Sequence, residues 1–190
     1  MRDVIESETI CILVTPPGSG KTRIIRETLD MADEKVGTKC ILTVYVTISA
    51  AQARAQGKEV GSHYACPFQF KYAHSLSKEL EKGPTRITMT HDMFKKLVLD
   101  PSDKLKHEFL NPLLGEGGSV RFVLDEVHQL YKCPKVAKAI AATRESATQE
   151  VHVSGLTATL EFDPEEEDMR YERVKTMFGG IPKLVEYEKK

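Results

Sequence analysis

The stretch from Ile10 to Thr22, ICILVTPPGSGKT, constrains the fold more than any other part of this 190-residue chain. Its first five residues form an unbroken apolar run of the kind that suits a strand buried on both faces. A turn follows that contains Gly18 and Gly20, and from Lys21 onward the pattern becomes helical. A buried strand that feeds a helix through a short glycine turn is the opening half of a βαβ unit, which belongs to a parallel sheet covered by helices.

The remainder keeps that rhythm. Apolar, β-branched runs predict strands at Thr9 to Val14, Cys40 to Thr47, Thr85 to Thr90, Val120 to Leu124, Glu150 to Ser154 and Lys183 to Tyr187. Helical patterns fall between them at Lys21 to Ala32, Ala50 to Val60, His74 to Glu81, His91 to Val98, Asp103 to Leu110 and Pro134 to Arg144. Gly115 to Ser119 reads as a turn, and the acidic run Glu161 to Asp168 as a solvated loop leading into a helix. With 41% hydrophobic residues the chain can bury one substantial core. The expectation is an α/β fold, a doubly wound, mostly parallel sheet flanked by helices, as a single domain over residues 1–190. Ligands of such sheets bind at the carboxyl ends of the strands.

Composition narrows the function classes. The formal charge of -1, from 27 basic against 28 acidic residues, gives no overall basic field, so any nucleic-acid contact must be local. Cys11, Cys40, Cys66 and Cys133 stand far apart with no C-x-x-C pair, which favours reduced thiols in an intracellular protein over a disulfide scaffold. His63-x-x-Cys66 with His74 beyond it is the one metal-like spacing and falls short of the four ligands a tetrahedral site needs. Neither a signal peptide nor a membrane span is indicated.

The loop itself suggests chemistry. Gly18 and Gly20 let backbone N–H groups turn toward an anion, and the helix that follows aims its positive end at the same point. Pro17, Gly18, Ser19, Gly20, Lys21 and Thr22 would cradle nucleotide phosphates, with Lys21 reaching the β and γ groups and the Thr22 hydroxyl on Mg²⁺. Thr15 stands where the strict G-x-x-x-x-G-K-[ST] pattern has glycine. The core G-x-G-K-[ST] arises by chance on the order of once in a hundred chains of this length, so the phosphate cradle outweighs an incidental turn. The loop leaves the reaction open, since kinases, GTPases, ring ATPases and helicases share it.

A second signal lies about 100 residues on, in RFVLDEVHQL. Phosphate-loop hydrolysis needs one carboxylate to hold the Mg²⁺ shell and another to align and deprotonate water; Asp125 fits the first role and Glu126 the second. Alternation along a strand points adjacent carboxylates to different sides. His128 opens the following helix. Beyond it VHVSGLTATL ends in small hydroxyl residues, and Ser154, Thr157 and Thr159 are suited to hydrogen-bond across to the acidic motif.

Taken in order, PPGSGKT, VLDEVH and GLTATL resemble motifs I, II and III of the first RecA-like domain of superfamily 2 DExH-box helicases and translocases. The resemblance spans nearly the whole chain. It implies an ATP and Mg²⁺ site on Gly18 to Thr22 with Asp125 and Glu126, a coupling role for His128, Thr157 and Thr159, and nucleic acid, RNA or DNA, as partner. VYVTISAAQARAQ and ITMTHDMF occupy the places of the family's phosphate-gripping turns, which implies track contacts at Thr47, Ser49 and Thr90. The Pro-Thr-Arg of the usual first turn is absent. The tail FGGIPKLVEYEKK resembles the stretch that closes the first domain, so a second RecA-like domain with its arginine finger is expected, beyond it in a longer protein or else on another chain. Such a finger is worth 10³ to 10⁵ in rate, so the chain alone should turn over ATP poorly. The competing readings are a ring-type ATPase, which demands a small helical domain after the core, and a nucleotide-dependent scaffold without hydrolysis. Intact Lys21, Thr22, Asp125 and Glu126 argue against the scaffold.

Overall fold

The computed structural model describes residues 11–36, 40–64, 68–159 and 169–186. Six strands form one sheet: β1 (Cys11–Val14), β2 (Ile41–Thr47), β3 (Thr85–Thr90), β4 (Ser119–Leu124), β5 (Glu150–Thr157) and β6 (Lys183–Glu186). All pairings are parallel and the order is β3-β2-β4-β5-β1-β6. Among the described residues the α-helices are α1 (Lys21–Val36), α2 (Ala50–Glu59), α3 (Ala73–Leu80), α4 (His91–Val98), α5 (Asn111–Leu114), α6 (His128–Tyr131), α7 (Pro134–Ser146) and α8 (Met169–Phe178). The doubly wound α/β architecture expected from the alternation is the one observed.

Two cores follow from the pleat. Ile12, Val44, Val46, Phe122 and Leu124 face one side, where Phe94, Leu97, Val136, Ile140, Met177 and Phe178 pack on them. Leu13, Tyr45, Val123 and Leu156 face the other, against Ile25 and Leu29 of α1 and Val60 just past α2. Every residue of β2 is buried, as befits a central strand covered on both faces.

Several boundaries moved. β5 runs three residues past Ser154 to Thr157, because its ladder with β1 continues through Gly155, Leu156 and Thr157 opposite Ile12, Leu13 and Val14. Ser154 is therefore interior to the strand and opposite Val123, not at the strand end. The helix expected at Asp103 to Leu110 begins after Asp103, whose φ is 54°, and Leu105–Leu110 is wound as a wider π-type helix. Pro112 has no N–H to continue an ordinary ladder, and the N–H of Asn111 reaches the Lys106 carbonyl instead. α1 extends to Val36. Thr9, Ile10, Cys66, Tyr187 and the acidic run Glu161 to Asp168 lie outside the described residues. His63 Nδ1 accepts from the Arg86 N–H at 3.2 Å, so it serves a backbone group. No helix among the described residues is long and apolar enough to cross a membrane.

Away from the strands' carboxyl ends, a buried charge network fixes α1 to the sheet. Asp33 accepts from Arg86 Nη2 at 2.7 Å and from Arg121 Nη1 at 2.6 Å, while Arg86 also meets Asp30 at 2.7 Å and the Val60 carbonyl at 2.9 Å. Asp33 and Arg86 side chains are only 15% and 9% exposed, so removing the shared carboxylate strands two guanidinium groups near low dielectric. Asp33→Ala is expected to cost about 2 kcal/mol, below the full loss of a buried pair because Asp30 remains. Denaturant unfolding monitored by circular dichroism checks this, and a cost under ~0.5 kcal/mol would remove the network from the account of stability.

Candidate active site

The site is assembled by backbone bonds that continue past the ends of β1 and β4. Thr15 N–H donates to the Thr157 carbonyl at 3.0 Å, Val127 N–H to Leu156 at 2.9 Å, and Asp125 N–H to Val46 at 2.8 Å. These bonds seat the loop after β1 and the acidic turn after β4 on opposite sides of β5, at the carboxyl edge of the sheet. Thr15, the departure from the usual pattern, is fully buried and is not among the described residues with positive φ. Glycine is therefore not required there.

Glycine is required three residues on. Gly18 and Gly20 have φ of 73° and 84°, and a Cβ at either would project into open space. The Ser19 N–H closes the turn onto Pro16 O at 3.2 Å, and α1 starts at Lys21 with its first-turn N–H groups directed at the same space. The hydroxyl oxygens of Thr15 and Ser19 are buried there without a hydrogen-bond partner. A concave run of donors at the positive end of a 16-residue helix, with orphaned hydroxyls beside it, fits phosphate oxygens.

Lys21 Nζ lies 3.0 Å from Glu126 Oε1. Glu126 can reach across because its φ is 48°, an uncommon value for a residue with a side chain, which ends β4 abruptly. The two adjacent carboxylates do diverge as expected, but through this left-handed turn rather than through strand alternation. Asp125 is 3% exposed. Its Oδ1 accepts from the Glu126 N–H at 3.1 Å and its Oδ2 from Gln56 Nε2 at 3.2 Å. Burial pushes the Asp125 carboxyl above the usual carboxylate range, against the pull of Lys21 and with help from the Glu126 charge. Tyr45, on the same sheet face, brings its phenol beside Asp125 and Thr22 without a hydrogen bond of good geometry. Burial first, and then the Asp125 charge, pushes that phenol far up, so it stays protonated. A buried carboxylate beside Tyr45, whose phenol also neighbours Thr22, has the hard oxygen chemistry that would hold a divalent cation.

Thr157 sits on the other flank. Its hydroxyl donates to the Thr159 carbonyl at 2.7 Å and accepts from the Thr159 N–H at 3.2 Å. With its one proton used, it accepts from His128 Nδ1 at 3.1 Å; that nitrogen is also 3.4 Å from Glu126 Oε2. His128 thus joins the acidic turn to the end of β5. Thr159 participates through its backbone, and its side chain is exposed.

The candidate track residues divide. Ser49 caps α2, accepting from the Gln52 N–H at 3.2 Å, and Thr90 caps α4, accepting from the Met93 N–H at 3.3 Å. Thr47 is fully buried and gives its hydroxyl to Gln56 Oε1 at 2.8 Å, so its side chain faces inward. Sequence reasoning missed Tyr45, Gln56 and His91. Tyr45 could have been found by alternation from Thr47, but only tertiary contact shows where the other two point.

The fold and this loop-and-acid site define a RecA-like phosphate-loop domain of the superfamily 2 helicase type. The chain belongs to the family described as Type III restriction enzyme, res subunit (ResIII), which matches residues 2–162. Among solved structures it is similar to the DUF1998 helicase MrfA bound to DNA and AMPPNP, with TM-score 0.60 and 16% identity over 96% of this chain and 25% of that one. The same helicase bound to DNA matches with TM-score 0.63 and 14% identity over 98% and 24% of the two chains. MrfA alone gives 0.58 and 15% over 97% and 29%. At such identity the likeness is one of fold. The chain spans about a quarter of the length of those helicases. No curated protein matches it.

Because the folded pKa of Asp125 lies above its unfolded value of 3.8, its ionisation costs stability at neutral pH, and that cost fades as pH falls through the raised value. Asp125→Asn is therefore expected to raise the melting temperature of the ligand-free chain at pH 7, with the gain shrinking on acidification. Gln56 can turn its amide to keep a partner for the new Asn. A lower melting temperature at pH 7 would contradict the desolvation argument.

Proposed function

We propose that this chain is the nucleotide-binding half of an ATP-driven nucleic-acid motor, holding ATP with Mg²⁺ and contributing to its hydrolysis. The observation that carries the proposal is the 3.0 Å pair between Lys21 and Glu126, which brings the phosphate loop and the acidic turn together across β5. Glu126 is the anion that faces Lys21. Phosphate oxygens arriving on Gly18 to Thr22 would take Lys21 as their counter-charge and release the carboxylate.

Glu126, once released, is free to orient a water for in-line attack on the γ phosphorus and to accept its proton as the bond to the β–γ bridging oxygen breaks. Thr22 and Asp125 would hold the Mg²⁺, which supplies positive charge against that building on the phosphate oxygens. His128 ties Glu126 to Thr157, so displacement of the acid is felt at the end of β5, where the third motif leads out of the sheet. That link is the proposed route from nucleotide state to domain closure. The partner surface is a second RecA-like domain carrying the arginine finger. The track, RNA or DNA, would run over the capped starts of α2 and α4, where Ser49 and Thr90 present helix N-termini to phosphates.

Two substitutions test the reading. Lys21→Ala is expected to abolish ATP turnover in the full-length protein, measured as phosphate release with and without RNA or DNA; full turnover in that variant overturns the assignment. Glu126→Gln removes the competing anion and the base together. Its turnover should fall at least about a hundredfold, the lower end for a general base. Binding of the analogue AMPPNP to the isolated chain should instead tighten, and a weakened affinity would show that Glu126 does not compete for Lys21.

A further inference from the structure

Two connections run into Asp125 from the turns after β2 and β3, which in the strand order lie across β4 from the phosphate loop, and the mechanism above uses neither. Gln56, half-buried on the second turn of α2, bridges the Asp125 carboxylate and the last residue of β2. Its Nε2 donates to Asp125 Oδ2 at 3.2 Å and its Oε1 accepts from Thr47 Oγ1 at 2.8 Å. The polarity of the bridge is fixed by chemistry. A carboxylate can only accept, so the amide must turn its NH₂ to Asp125; the carbonyl then faces Thr47, whose hydroxyl must donate.

His91, the first residue of α4, is 3% exposed and sets Nε2 at 2.8 Å from the Asp125 backbone carbonyl. That carbonyl accepts, so Nε2 carries the proton, while Nδ1 is buried without a partner. Burial holds the ring's pKa below its ordinary value, which keeps this single tautomer neutral.

Both connections start at the turns assigned to the track. Thr47 ends β2 two residues before Ser49, the cap of α2, and His91 follows Thr90, the cap of α4. We propose that Gln56 is a positioning residue through which the β2–α2 turn, when it engages a nucleic-acid phosphate, sets the orientation of the Asp125 carboxylate, with His91 bracing that residue's backbone from the β3–α4 turn. The inference rests on the functional reading above. A shift of the cap at Ser49 moves the start of α2, and Gln56 is carried with that helix while Thr47 is anchored in the sheet. The bridge must therefore lengthen, shorten or turn, and one carboxylate oxygen of Asp125 moves with it.

The test compares the full-length protein with its Gln56→Met and Thr47→Val variants and with the double variant. Both substitutions keep approximate volume; Gln56→Met removes the bridge itself and Thr47→Val only its end on β2. The readout is the ratio of ATP turnover with saturating single-stranded DNA or RNA to turnover without it, so general changes in activity cancel. Each single variant is expected to lower that ratio at least about fivefold, the low end of ordinary coupling between sites. The double variant should fall no further than Gln56→Met, because both cuts interrupt one path. Asp33→Ala, which weakens the fold away from the site, controls for stability and should leave the ratio unchanged.

A wild-type ratio in Gln56→Met or Thr47→Val, a loss matched by Asp33→Ala, or additive losses in the double variant would each overturn the relay. If Lys21→Ala abolishes turnover and the relay variants keep the wild-type ratio, the relay fails and the ATPase reading stands. If Lys21→Ala retains turnover, the functional reading fails and takes the relay with it. Unmodified protein that hydrolyses ATP with no response to either nucleic acid would overturn the track and the relay alone.

Discussion

The pair between Lys21 and Glu126 depends on a strand to which neither residue belongs, and much of the site is arranged around that fact. β5 lies between β1 and β4, so the loop and the acidic turn are separated by one strand in the sheet order. Adjacent parallel strands lie about 4.8 Å apart, so two steps leave a gap of roughly 10 Å. The long side chains of Lys21 and Glu126 close it from either side. Gly155, two residues before the end of β5, lets the chain after Glu126 pack close: a Cβ there would lie 3.0 Å from Val127 Cγ1 and 3.1 Å from Phe178 Cζ. The tight turn carrying Glu126 rests on that glycine.

Asp125 and Glu126 illustrate how neighbours in sequence come to have different surroundings. Asp125 extends the β4 ladder, which buries it and points it to the face shared by Tyr45, Thr47 and Gln56. Glu126 leaves the ladder through its left-handed backbone and enters the space above β5. One acid is thereby raised in pKa and fixed by hydrogen bonds from the sheet side. The other is held by Lys21 at 3.0 Å.

Much of the architecture was legible because periodicity reports burial. The apolar runs at β1 to β4 and the amphipathic stretches at α1, α2 and α4 are local signals, and each element lies where its pattern predicts. Boundaries that depend on a neighbour were not legible. β5 continues past Ser154 because β1 supplies partners as far as Val14, and the π-type winding at Leu105–Leu110 reconciles a proline with the packing of Phe109 and Leu110. The assignment of Thr47 to the track treated a strand end as a surface, whereas α2 folds over it.

The sequence by itself determined the chemistry available at the sheet's carboxyl edge: a glycine loop ending in Lys21 and Thr22, two adjacent acids, a histidine and a terminal threonine. Those identities follow from residue type and from spacing within single elements. Tertiary structure alone decided which of these groups touch, that Lys21 faces Glu126 rather than Asp125, that His128 donates to Thr157, and that Gln56 and His91 reach Asp125 from the helices after β2 and β3. The reason is physical: pattern fixes the face on which a side chain lies, but contact between elements 69 or 105 residues apart depends on strand order and register.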